Sequence, residues 1–171
     1  MTAPHASDIP ALRIASGKTT LTREEPAVRL GIADSNGGAL IIAGATNAYV
    51  EDTGLTAVQI GGDFRAPGRR RLASKRGRDI VVHLDRVKLL RRVAVAGDSL
   101  VIVTDTGGTI LVPGAAHVGI HVVTTTSDTG KTVSTPEGPD RRLLRVHRHI
   151  EIRRDDATGP LADAYGMDVQ D

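Results

Sequence analysis

The sequence predicts an all-β domain, an antiparallel sandwich or barrel of many short strands with an aliphatic core and extended charged arms. Three observations predict it. Short β-branched runs recur along the chain, punctuated by Gly, Asp, Asn and Ser clusters. No window of helical length carries a clean 3.6-residue apolar period with caps at both ends. Aromatic residues make up only 2% of the chain, so Val, Ile, Leu and Ala must fill the interior. A chain of 171 residues without cysteine fits one domain that buries its core without covalent staples.

The elements follow in order. Residues 1–10 read as a flexible N-terminal arm. Strands are expected over 11–15, 19–23, 27–33, 39–43, 47–51 and 55–60, then over 79–84, 87–96, 99–104, 109–112, 117–126, 131–135 and 142–153. The clusters Asp34-Ser35-Asn36-Gly37-Gly38, Ala96-Gly97-Asp98-Ser99 and Asp105-Thr106-Gly107-Gly108 supply the positive φ that hairpin turns need. Segment 87–112 therefore reads as a three-stranded meander. Short helical turns are expected near 86–92 and 160–167. Turn spacing is irregular, which argues against a repeat architecture. Residues 11–154 form the expected single β domain.

Charge is segregated along this frame. Residues 65–92 hold 11 of the 22 Lys and Arg, opposed by only Asp79 and Asp85. The part from Arg65 to Arg78 lacks apolar periodicity and reads as a long exposed loop or arm inserted in the domain. Its Arg65, Arg69, Arg70, Arg71, Lys75, Arg76 and Arg78 are candidate contacts for a partner or for phosphate. The segment 155–171 carries Asp155, Asp156, Asp163, Asp168 and Asp171 with no Lys or Arg, and reads as an acidic C-terminal arm. The near absence of aromatic rings argues against a sugar cleft or a base-stacking platform. No basic region followed by an apolar run opens the chain, and no apolar run is long enough to span a membrane. The expected location is cytoplasmic or within an assembled particle.

Three catalytic-looking motifs lack the context their chemistry needs. Gly97-Asp98-Ser99-Leu100 spells the signature of a serine esterase family, but it lies mid-chain between strands, and no DxxH follows. Asp-Thr-Gly occurs at 52–54, 105–107 and 128–130, as in aspartic proteases, yet its flanking residues are those of ordinary turns. Gly130-Lys131-Thr132 echoes a phosphate loop without the upstream glycine or the following helix.

The histidines are better placed. Strand alternation over 142–153 sets Leu144, Val146, Arg148, Ile150 and Ile152 on one face. Leu143, Arg145, His147, His149, Glu151 and Arg153 take the other. His117 and His121 share a face of their own strand. A hairpin of 117–126 with 142–153 would bring His117, His121, His147 and His149 to one sheet face, as candidate ligands for one divalent transition metal. Arg145 and Arg153 would oppose such a cation. Gly107, then Pro113-Gly114-Ala115-Ala116-His117, resembles the second cupin motif, with one residue fewer between Pro and Gly. That resemblance implies a metal-dependent β-barrel enzyme. The order and spacing of its other motif differ here, so no cupin ligand is carried over.

The expectation that follows is a non-enzymatic assembly subunit of the kind found in virus or phage particles, such as a capsid-decorating or tail protein. It would join other copies of itself or a particle scaffold through the basic loop and the acidic tail. The alternatives are the cupin-like metal enzyme and a protein that contacts nucleic acid non-specifically through Arg65–Arg78.

Overall fold

A computed structural model describes residues 17–61, 64–66, 70–136, 138–155 and 159–169. In chain order these form β1 (Lys18–Thr20), β2 (Ala27–Arg29), α1 (Ile32–Ser35), β3 (Ala39–Asp52), β4 (Ala57–Gln59), β5 (Phe64–Ala66), β6 (Arg70–Arg76) and β7 (Asp79–His83). A 3-10 segment (Leu84–Leu89) leads into β8 (Leu90–Val103), β9 (Thr109–Thr135), β10 (Gly138–Asp155) and α2 (Leu161–Ala164). The all-β expectation holds. The strands form one sheet in the order β2-β10-β9-β8-β3-β7-β6-β5, with β1 on β9 and β4 on β3. Every pairing in that path is antiparallel, whereas β1 runs parallel to the start of β9.

Several expected hairpins are bends within longer strands. The runs 39–43 and 47–51 are one strand, β3, as 87–96 and 99–104 merge into β8. The runs 109–112, 117–126 and 131–135 are all β9. The expected meander over 87–112 is thus two strands, joined by the turn at 105–107. Register shifts at Ala43/Ala45 in β3 and Asp98/Leu100 in β8 show why. Turn-type residues here make bulges, which kink a strand without ending it. The kinks adjoin: Ala45 pairs with Gly97, and Gly97 with Ala116. A Cβ on Gly97 would lie 2.4 Å from the Gly44 carbonyl oxygen, so only glycine permits this approach.

The bend folds the sheet over one aliphatic core. Leu40, Ile42, Leu100, Ile102 and Ile110 enter it from one half of the long strands. Val50, Val93, Val118, Ile120 and Ile150 enter from the other. The alternation expected for 142–153 is observed, with Ile150 and Ile152 fully buried. The 3-10 segment and α2 occupy the two places where helical turns were expected.

Two charged segments depart from expectation. The basic segment is no long loop: β6 pairs with β7 from Ala73↔Val82 to Arg76↔Asp79, and with β5 on its other side. Leu72 and Ala73 are buried there, and cross-strand pairing overrides the missing periodicity. The acidic segment is no free arm over 159–169. Leu161 and Met167 are buried against Ala57 and Ala94, and Tyr165 and Val169 pack beside them. The expected strand 11–15 and the arm 1–10 lie outside the described residues.

Candidate functional site

The sheet face opposite the main core carries a row of charged groups across five strands. Register aligns Glu51 of β3 with Arg92 of β8, Arg92 with His121 of β9, His121 with Glu151 of β10, and Glu151 with Arg29 of β2. Both carboxylates are buried, Glu51 at 2% exposure and Glu151 at 6%. Buried carboxylates need charged partners, and each has two. Arg92 Nε donates to Glu51 Oε1 at 2.8 Å, and Arg91 Nη1 lies 3.2 Å from the same oxygen. Arg153 Nη2 lies 3.6 Å from Glu151 Oε1, and Arg29 Nη2 lies 3.9 Å from Oε2.

The C-terminal segment covers the neighbouring rows. Tyr165 Oη donates to Asp155 Oδ2 at 2.6 Å. Its ring lies 6.2 Å from the His121 ring, tilted by 51°. Both rings sit over Gly119: a Cβ there would stand 2.5 Å from His121 Nε2 and 2.9 Å from Tyr165 Cε1. Burial holds the His121 pKa down to about 4, helped by Arg92, Arg153 and Arg91 against the opposing pull of Asp155. Burial likewise pushes the Tyr165 phenol up, with the hydrogen bond to Asp155 and that carboxylate's charge adding to the shift. At neutral pH the site therefore offers a neutral imidazole and a phenol fixed as a donor. Arg92 and Arg91 are held by Glu51, while Arg153 and Arg29 stand at ion-pair distance from Glu151, whose Oε2 accepts no hydrogen bond among the described residues. This is a row of ion pairs closed by a docked segment.

The four histidines share the expected face, and β9 and β10 do pair. Antiparallel register nevertheless spreads them along the ladder: His117 faces Asp155, His121 faces Glu151, His149 faces Val123, and His147 faces Thr125. His147 Nε2 lies 3.2 Å from Ser127 Oγ, and His149 Nδ1 lies 3.2 Å from the Leu30 carbonyl. His117 is buried, and its Nδ1 has no hydrogen-bond partner among the described residues. Among the described residues, no three His, Cys, Asp or Glu are grouped to hold a metal ion.

The other motifs resolve into turns and a bulge. Asp52 Oδ1 accepts from Gly54 N at 2.9 Å, and Asp128 Oδ1 from Gly130 N at 2.8 Å. The third Asp-Thr-Gly borders a depression of about 370 Å3 between Gly17, Asp34 and Thr104. There Thr106 Oγ1 donates to Asp34 Oδ1 at 2.9 Å. Ser99 belongs to the β8 bulge, a correction to the turn expected at 96–99. Its hydroxyl bonds the adjacent Asp98.

Of the basic candidates, Lys75, Arg76 and Arg78 are exposed where β6 turns into β7. Arg65 falls in β5, and Arg70 and Arg71 in β6. Arg69 lies outside the described residues, as do Asp156 and Asp171 of the acidic set. Asp155 ends β10, while Asp163 and Asp168 are exposed on the docked segment.

Sequence reasoning missed a projecting ribbon. β8 accompanies β9 only as far as His121, yet the β9–β10 ladder continues to Thr135↔Gly138. At a strand's rise per residue, with the extra residues of the bulge left out, this is an overhang of roughly 40 Å. It exposes Val133 (45%), Leu143 (45%), Leu144 (53%) and Val146 (53%). The signal was present in the length of the β-branched run 117–135, but Asp128-Thr129-Gly130 read as its end. No family model, curated protein or solved structure matches this chain.

Proposed function

We propose that the protein is a non-enzymatic assembly subunit that joins copies of itself into a larger particle. The ribbon carries this reading. A two-stranded ribbon is marginally stable alone in water, and three or more strands with an apolar face are needed for independent stability. This ribbon displays Leu144 and Val146 beyond the body, on the face that carries Ile150 and Ile152 into the core. Apolar side chains gathered on an exposed projection mark a surface that another chain covers. The expected contacts shift accordingly. The docked acidic segment 159–169 stabilises its own sheet, and the ribbon takes the role of the reaching arm.

Light scattering with refractive-index detection tests this, since two Tyr and no Trp leave little absorbance to follow. A mass of two or more subunits is the expected result. A monomer at every concentration examined overturns the proposal.

A further inference from the structure

The two edges of the ribbon are finished differently. β10 is covered as far as Arg148: β2 pairs with 151–153, Ile150 N donates to Ser35 Oγ at 2.8 Å, and Asn36 Nδ2 donates to the Arg148 carbonyl at 2.8 Å. Beyond that point the β10 edge carries the exposed cations Arg141 and Arg145, and Arg142, which pairs with Asp128 of β9. Charges of this kind keep an open edge from pairing with other chains. β9 has no such guard. Among the described residues, only β10 pairs with 122–135. That stretch reads VVTTTSDTGKTVST, without proline and with two charges only, Asp128 and Lys131. It is an open edge of β-branched residues, a template for a further strand.

The same edge complements itself. An antiparallel second copy reverses the order of Asp128 and Lys131, so Lys131 of each copy approaches Asp128 of the other, a carboxylate that Arg142 of its own ribbon also pairs. A parallel copy would set Asp128 beside Asp128, and pairing through β10 would set arginine against arginine. The bulge divides the edge into two stretches. Gly130 N is satisfied by Asp128 Oδ1 at 2.8 Å and Lys131 N by Thr129 Oγ1 at 3.3 Å, which leaves 122–127 and 132–135 to pair. Two marginal ribbons then become one four-stranded sheet, with Leu144 and Val146 of both copies on one face.

We infer that the protein forms a two-fold dimer by antiparallel pairing of β9 with β9 of a second copy, over 122–135. The inference rests on the assembly reading above and names its interface. A closed two-fold contact of this kind is isologous, so residues near its centre meet their own counterparts.

The chain has no cysteine, so a single introduced thiol reports one position. Thr129→Cys, beside the two-fold centre between Thr129 and Gly130, should give a disulfide-linked dimer under mild oxidation, and Arg145→Cys on β10 should not. Amide exchange on the unaltered chain is the companion measurement: exchange over 122–127 should slow as protein concentration rises. An oligomer that cross-links through Arg145→Cys and not Thr129→Cys, with exchange over 122–127 independent of concentration, overturns this interface while the assembly reading stands. A chain that stays monomeric overturns both.

Discussion

Gly119 shows how one missing side chain organises a face. Its neighbours His121 and Tyr165 fold over the backbone it leaves bare. Gly119→Ala would force both rings to move, and overpacking of this kind costs about 1–3 kcal/mol. Urea denaturation should show that loss. Tyrosine fluorescence should report it, because Tyr165 sits over Gly119 and Tyr49 packs against the same cluster as Tyr165. His121 supplies a pH prediction from the same place. Its folded pKa, about 4, lies below the ordinary value of 6.5, so the unfolded chain binds the proton first. Stability is therefore full above pH 6.5 and falls as pH drops toward 4. Between pH 7 and pH 5 the loss from this residue alone is about 2 kcal/mol. His121→Gln should flatten the stability profile over that window. An equally steep profile in the variant would assign the pH dependence to other groups.

The ribbon is the element whose energetics differ most from the rest of the sheet. Its Leu144 and Val146 lie outside the core cluster, so Leu144→Ser with Val146→Ser should leave unfolding stability within about 0.5 kcal/mol of the parent. The same double substitution should lower the mass in solution, which separates an association surface from a folding one. Legibility in the sequence also divides at this scale. Alternation across 142–153 was readable because Ile150 and Ile152 recur at period two, and pairing with 117–126 followed from adjacency. Strand length was not readable. Gly44, the Gly97–Ser99 stretch and Pro113-Gly114 carry turn chemistry, and turn chemistry also builds bulges that a strand runs through. β6 was hidden for another reason. Its cations mask a short inward pattern, and only pairing with β7 gives that pattern a partner. The charged row was least legible, since Arg29, Glu51, Arg92, His121 and Glu151 are brought together only by strand order.

At the scale of the whole molecule, the distribution of charge distinguishes two ways of assembling. The sequence suggests basic and acidic arms that attract each other between copies. The fold spends part of the acidic arm internally, through Tyr165–Asp155 and the burial of Leu161 and Met167. It places a neutral β9 edge and an apolar ribbon face outermost instead. These arrangements respond oppositely to salt. Attraction between exposed charges is screened over about 10 Å at 0.1 M ionic strength and about 3 Å at 1 M, so a charge-held assembly dissociates as salt rises. Backbone pairing along a neutral edge and apolar contact are not weakened by that screening. Exclusion of a salt such as sulfate from the protein surface strengthens burial. The oligomer mass is therefore expected to persist in 1 M sodium chloride and to hold or increase in sulfate. Collapse to the monomer in sodium chloride would return the interface to Lys75, Arg76 and Arg78 and the exposed aspartates of the C-terminal segment.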